Sequence, residues 1–302
     1  MDALEITCDE SGYEGEKLIG TTTDVFAHAG VRLGAEAARA CLTELRDRIR
    51  SPATQYKATH LLREKHRPVL VWLLGPSSPL FRRAHVYLID KVYYVLGKLT
   101  DVLVADPAGA GLSGDGPARR LSAELFAGRP GHDYLVAANN LLRGKDRHDV
   151  QGPVETFYRL AGELGGRSRA EAFRVRLRDD PALSVLDPLI PAVVRAVGRW
   201  GADGTPVSIL HDRQTTLPEE RVARIRRLLA APLRLEGLRL AAAEDEPRIQ
   251  LADILAGTVR KIAQDQLHGA GDTELVTLIR PYLDPYSIWG DRRSWALLSA
   301  RA

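Results

Sequence analysis

From Leu4 the chain alternates strictly, with Leu4, Ile6 and Cys8 set against Glu5, Thr7 and Asp9. A two-residue period puts successive side chains on opposite faces, so this segment predicts a half-buried strand that stops at Glu10-Ser11-Gly12. A second strand is expected over 17–29, rich in threonine, valine and phenylalanine, making a hairpin with the first. The period then lengthens. Between Gly34 and Ile49 the residues Ala37, Ala38, Cys41, Leu42 and Leu45 fall on one side of a helix. Residues 54–58 fit a short strand, and 61–74 fits either a helix or a strand. His85–Ile89 (HVYLI) reads as a strand ending at Asp90-Lys91, and 92–104 as the helix that follows.

The pattern changes after Asp106. Residues 106–117 (DPAGAGLSGDGP) read as a Gly/Pro linker. Helices are expected near 118–127, 133–143, 153–164, 168–178 and 187–199, with Ser168 capping its helix and Glu171 completing a capping box. Strand character returns at Val207–Leu210, ending at His211-Asp212. A helix near 218–230, a strand at 235–240 and a helix over about 248–266 follow, and 273–302 turns from helical to irregular. The expected fold is α/β: a mixed sheet flanked by helices, with a core from 1–106 and 205–270, an all-helical insertion at 107–204, and a C-terminal extension at 271–302.

Composition narrows the class without choosing a function. With 45% hydrophobic and 27% charged residues, the 302-residue chain is ordinary globular protein. Two cysteines, Cys8 and Cys41, make neither a disulfide framework nor a CxxC zinc pair, and a reducing cytoplasm fits them best. The first residues carry two acids and no basic stretch, unlike a signal peptide. No apolar run approaches the roughly 20 residues that span a bilayer, so no membrane partner is expected. A net charge of +3 permits nucleic acid as a partner but does not argue for it. Gly109–Gly114 matches GxGxxG, but Gly116-Pro117 denies it the helix that a dinucleotide fold requires. There is no GxxxxGK[ST], HExxH or GxSxG. Cys8, on a buried strand beside an acid, is a poor nucleophile, and Trp72, Tyr87, Tyr93 and Tyr94 read as core residues.

The candidate chemistry is acidic. Three predicted strands end in acids: Asp9-Glu10, Asp90 and Asp212. Strand ends are where sheet proteins build sites, although an acid there also serves as a turn residue. Asp253 is the lone charge in Ile249–Val259 (IQLADILAGTV), a helix apolar enough to be buried all round. A carboxylate in that setting is costly unless paired or metal-bound. Arg260 or a nearby backbone group would be the ordinary partner. Gln250, Asp253 and Gly257 share a face, and small Ala256 and Gly257 let that face approach the sheet closely.

Cys8-Asp9-Glu10-Ser11-Gly12, followed late in the chain by Gln250-Leu251-Ala252-Asp253-Ile254-Leu255-Ala256-Gly257, resembles the DESG and QLAD hallmarks of a bacterial domain-of-unknown-function family, number thirty-eight-hundred. Asp90-Lys91 and His211-Asp212 sit where that family tends to carry polar residues after strands. The resemblance spans residue 4 to about 262, and 107–200 carries no motif. The family looks like a branch of the ribonuclease-H-like superfamily. It therefore implies metal binding by an acid on the first strand, an acid at a second strand end and an acid on a C-terminal helix: Asp9, with Asp212 or Asp90, and Asp253. The superfamily also places a glutamate on a helix. The matching segment, 54–65, offers Gln55, Lys57, His60 and Glu64, a departure that puts a four-carboxylate site in question. Lys57 and Lys91 are candidate functional cations in its stead.

The resulting expectation is a hydrolase that uses Mg²⁺ or Mn²⁺, hard ions that prefer carboxylate oxygens, to cut phosphodiesters in DNA or RNA. Asp9 would bridge the ions. Glu10 either joins the shell or points to the other side of the strand. His211 either shuttles protons or packs at its strand end. The helical insertion would shape a groove or meet a protein partner. Two rival readings stand beside this one: a non-catalytic interaction module with a degenerate site, and a hydrolase of small nucleotides.

Overall fold

A computed structural model describes residues 3–50, 56–104, 116–128, 130–162, 165–213 and 217–298. The chain opens with β1 (Leu4–Ser11), β2 (Val25–Val31), α1 (Ala35–Ile49), the single turn α2 (Ala58–Leu61), α3 (Arg67–Leu74), β3 (Ala84–Asp90) and α4 (Lys91–Val104). Five helices follow: α5 (Gly116–Ala127), α6 (His132–Leu142), α7 (Gln151–Ala161), α8 (Arg167–Asp179) and α9 (Leu189–Trp200). Then come β4 (Val207–Asp212), α10 (Glu219–Leu228), β5 (Leu235–Ala241), α11 (Pro247–Leu267), α12 (Thr273–Ile279) and α13 (Arg292–Leu298). The five strands form one mixed sheet in the order β3-β2-β1-β4-β5. The pairs β1–β2 and β2–β3 are antiparallel, whereas β1–β4 and β4–β5 are parallel.

Strand alternation divides the core in two. Ile6, Cys8, Phe26, Tyr87, Ile89, Val207 and Ile209 face one side, where α4 and the helices of the 116–200 block pack on them in one continuous hydrophobic cluster. The described residues of the expected insertion, from Gly116 on, thus supply a layer against the sheet and share its core. Val25, Ala27, Ala29, Val31, Val86 and Leu88 face the other side, beneath α1, α3, α11 and α12. Ala27 and Ala29 keep the sheet surface low where α11 crosses β1 and β2. Among the described residues no helix is long and apolar enough to cross a membrane.

Several local expectations change. The second strand begins at Val25, not Lys17. The backbone N–H groups of Leu18 and Ile19 both donate to the Asn139 side-chain oxygen, at 2.8 and 2.9 Å, which anchors 18–19 to α6 in place of a ladder. Of the expected strand at 54–58, residues 54–55 lie outside the described residues, and Ala58 starts a helical turn. The ambiguous 61–74 is helical, and α3 fills 67–74. The linker expected at 106–117 lies outside the described residues up to 115, as does the whole GxGxxG stretch, and α5 begins at Gly116. Ser168 is not an N-cap: α8 starts at Arg167 behind Gly166, and Glu171 pairs with Arg167.

The C-terminal extension closes the sheet. Asp284 and Ile288 donate their N–H groups to Val86 and Leu88 carbonyls, and Asp90 N–H donates to Ile288, each at 2.8 Å. This covers the free edge of β3, which would otherwise offer unpaired backbone to another chain. Buried His85 lies 2.7 Å from Asp284, which Arg195 also contacts at 3.3 Å, fixing the segment by charge as well.

Gly257 sets how closely α2 meets α11. A Cβ there would stand 2.6 Å from the Ala58 Cβ, closer than real carbons approach. Gly257→Ala is expected to push α2 outward and lower stability by about 1–3 kcal/mol, the usual range for overpacking. Thermal unfolding of the variant checks this, and an unchanged midpoint would show that α2 is not held there.

Candidate functional site

The middle strand, β1, carries the first acid. Cys8 lies in register with His211 of β4, and both point to the α4–α9 side. One residue further along each strand, Asp9 and Asp212 turn to the other face, where α11 supplies Asp253. Asp9 is buried, with 5% of its surface exposed, and its Oδ1 accepts the Glu10 N–H at 2.7 Å. Asp212 Oδ1 accepts the Ala243 N–H at 3.2 Å, while Gln250 Nε2 donates to the Ala243 carbonyl at 2.8 Å. The loop after β5 is thereby tied to the start of α11, the QLAD segment.

Lys57 reaches across from the residue before α2. Its Nζ donates to Asp253 Oδ2 at 2.7 Å, and the lysine side chain remains 58% exposed, so the ion pair itself adds at most about 1 kcal/mol. Burial disfavours the Lys57 charge, but Asp253, Asp9 and Asp212 together raise its pKa above the ordinary value. The Asp9 pKa also rises, which for an acid favours the neutral form. Burial, then the charges of Asp253 and Asp212, push its carboxyl up to about 8, against the lowering effects of the Glu10 N–H and Lys57. Three acids from β1, β4 and α11 and one lysine therefore share a local field.

Other candidates stand apart from this group. Glu10 points to the opposite face of β1, where its Oε2 lies 3.6 Å from His211 Nε2. Burial and the charges of Asp9 and Asp212 hold its carboxyl well above the ordinary range. His211 is a packed histidine: fully buried, its Nδ1 faces the Asp212 carbonyl at 3.1 Å and its Nε2 meets His28 Nε2 at 3.2 Å. The hydrogen-bond network assigns the proton to Nδ1, leaving Nε2 to accept from His28. Burial lowers the His211 pKa to about 4, so the pair is neutral at physiological pH.

Asp90 lies two strands from Asp9, on β3 at the far edge of the sheet. It caps α4, accepting the Tyr93 N–H at 3.1 Å, and burial raises its pKa to about 7. As a ligand alongside Asp9 it is displaced by this separation. Lys91 Nζ binds the Thr23 and Thr21 hydroxyls at 2.8 and 3.1 Å and does not reach Asp9. Glu64 is exposed and takes no part, and Gln55 lies outside the described residues. Arg260, the ordinary partner anticipated for Asp253, donates instead to Ser11 Oγ at 2.9 Å and Gln264 Oε1 at 3.1 Å. Its place seven residues after Asp253 on the same helix face was visible in the sequence. That it turns toward β1 was not.

The donor chemistry suits a hard divalent cation: buried and half-buried carboxylates whose mutual repulsion already perturbs Asp9. As the side chains stand, no three acids, histidines or cysteines among the described residues are close enough to chelate an ion. Lys57 occupies Asp253 Oδ2. No family model, curated protein or solved structure matches this chain.

The Asp9 shift has a stability consequence. Unfolded, Asp9 titrates near 4; folded, it holds its proton to about 8. Its contribution is thus complete at acid pH and lost as pH rises through the folded value. Asp9→Asn mimics the protonated acid. It should match the wild type in melting temperature near about pH 3 and exceed it increasingly as pH rises, by several degrees above about pH 8. A pH-independent difference would mean that Asp9 is not strained by its neighbours.

Proposed function

We propose that this chain is a metal-dependent phosphodiester hydrolase of the ribonuclease-H-like type, acting on nucleic acid in a reducing cytoplasm with Asp9, Asp212 and Asp253 as its carboxylate set. The observation that carries the reading is the placement of Asp9 on β1, Asp212 on β4 and Asp253 on α11 about Lys57 on one side of the sheet, where burial and the two neighbouring acids raise the Asp9 pKa. Acids brought together at this electrostatic cost would be eased by a bound cation. The distribution of the acids supports the superfamily reading drawn from the DESG and QLAD resemblance: one on the first strand, one at a second strand end, one on a late helix packed beneath the first strand. Both cysteines are buried and free, in keeping with a reducing compartment.

Mg²⁺ or Mn²⁺, when bound, would activate water and stabilise the leaving oxygen of a phosphodiester. The protein's own part is to hold the ligands and exclude competing cations. Asp9 is fixed by the Glu10 N–H, and Asp212 by the Ala243 N–H. Asp253 would help hold the metal once Lys57 releases it, and the freed ammonium would be available to a substrate phosphate. Glu10, His211 and His28, on the far face, serve the strand rather than the reaction.

A second reading, a non-catalytic interaction module, is favoured by one observation: the 2.7 Å Lys57–Asp253 pair compensates the Asp253 charge without a metal.

Nuclease assays on single- and double-stranded DNA and RNA separate the two. Cleavage should require Mn²⁺ or Mg²⁺ and fall by more than about a hundredfold in Asp9→Asn and Asp253→Asn. Calorimetric Mn²⁺ binding should be lost with it. Equal residual cleavage in all three proteins, or no Mn²⁺ uptake by the wild type, overturns the hydrolase and leaves the module.

A further inference from the structure

Two cations meet at the turn after β1 without a carboxylate between them. Lys91 is fully buried, and its Nζ donates to the hydroxyls of Thr23 at 2.8 Å and Thr21 at 3.1 Å. Arg260 is half-buried and donates to Ser11 Oγ and Gln264 Oε1. The acids nearest to them are occupied elsewhere. Glu14 accepts from Thr22, Asp24 pairs with His268 at 2.7 Å, and Asp265 pairs with Lys261. Burial depresses the Lys91 pKa to about 8; the charges of Glu14 and Asp24 oppose this, and Arg260 adds to it.

Gly12 lets Arg260 and Thr23 close on the same turn. Its φ of +80° makes the tight turn, and a Cβ there would stand 2.9 Å from both Arg260 Cδ and Thr23 Oγ1 and 2.5 Å from the Val25 carbonyl. Ser11, Thr21, Thr23 and Arg260 are partly open to solvent, with Lys91 behind them. Burying an ammonium against neutral hydroxyls is costly, and the fold gains no ion pair in return. Hydroxyl donors backed by unpaired positive charge are what a phosphate oxygen requires.

We propose that Lys91, Arg260, Ser11 and Thr23 form an anion cradle that holds one phosphate group of a nucleic-acid strand, beside the acidic site. Ser11 follows Asp9 by two residues on the same strand face, a step of about 7 Å. The cradle therefore suits a phosphate neighbouring the one above Asp9, not the scissile group itself. The anion site stands on Lys91 and Arg260 alone; only the choice of nucleic acid over another phosphate rests on the proposed function.

The test uses the full chain without metal, in EDTA. Inorganic phosphate, compared with chloride at equal ionic strength, should raise the melting temperature by about 3 °C at roughly ten times its Kd. Arg260→Gln and Lys91→Met should each abolish that rise. A short single-stranded oligonucleotide should bind these variants about tenfold more weakly than wild type, as expected for one lost phosphate contact. Lys91→Met should melt no lower than wild type in chloride, because an apolar side chain replaces a buried charge. Should that variant not fold, Arg260→Gln and Thr23→Val carry the test. If phosphate acts no differently from chloride, or the variants keep the shift, the cradle is wrong, even where metal-dependent cleavage is intact. A phosphate effect with unchanged oligonucleotide affinity overturns the nucleic-acid assignment. Loss of cleavage with phosphate binding retained overturns only the hydrolase.

Discussion

The structure depends on laying α11 flat across β1 and β2. That contact is made possible by small side chains on both surfaces, Ala27 and Ala29 on the sheet and Ala252, Ala256 and Gly257 on the helix. It brings the Asp253 carboxylate down to the level of Asp9. A bulkier interface would lift the helix by the width of a side chain and separate the two acids. The same closeness leaves Asp9 little water and a charged neighbour, which is why its proton is held so tightly.

The sheet separates two kinds of polar group by the strand period. Asp9 and Asp212 fall on the α11 side with Lys57, where charge is shared and partly open to solvent. Glu10, His211 and His28 fall on the other, buried among the helices of the 116–200 block, where charge is suppressed. Adjacent residues of one motif, Asp9 and Glu10, thus have unlike environments. Arg174 shows the same economy of charge within that block. It is fully buried, its two terminal nitrogens donate to the backbone carbonyls of Leu141, Arg143, Asp146 and Asp149, and so it pins the turn after α6.

Strand and helix identity was largely legible from periodicity, because each element buries one face against a neighbour and the apolar spacing records that face. The 18–24 segment was not. Its threonines and apolar residues look like strand, but they are spent on Asn139 of a distant helix and on Lys91, contacts that leave no periodic trace. The C-terminal strap over β3 escaped for a related reason: edge pairing by backbone atoms asks little of side-chain order.

For the site, the residues by themselves marked Asp9, Asp212 and Asp253 as acids in unusual settings: strand ends, and a helix otherwise without charge. They marked Asp90 and Lys91 just as strongly, since a strand-end acid looks the same whichever strand bears it. Only the tertiary structure decided between them. Strand order, which no local pattern encodes, put β4 beside β1 and β3 at the edge, so Asp212 joins Asp9 while Asp90 caps a helix. It also turned Arg260 away from Asp253 and toward Ser11, because the partner of a long flexible cation is set by what packing places within its reach.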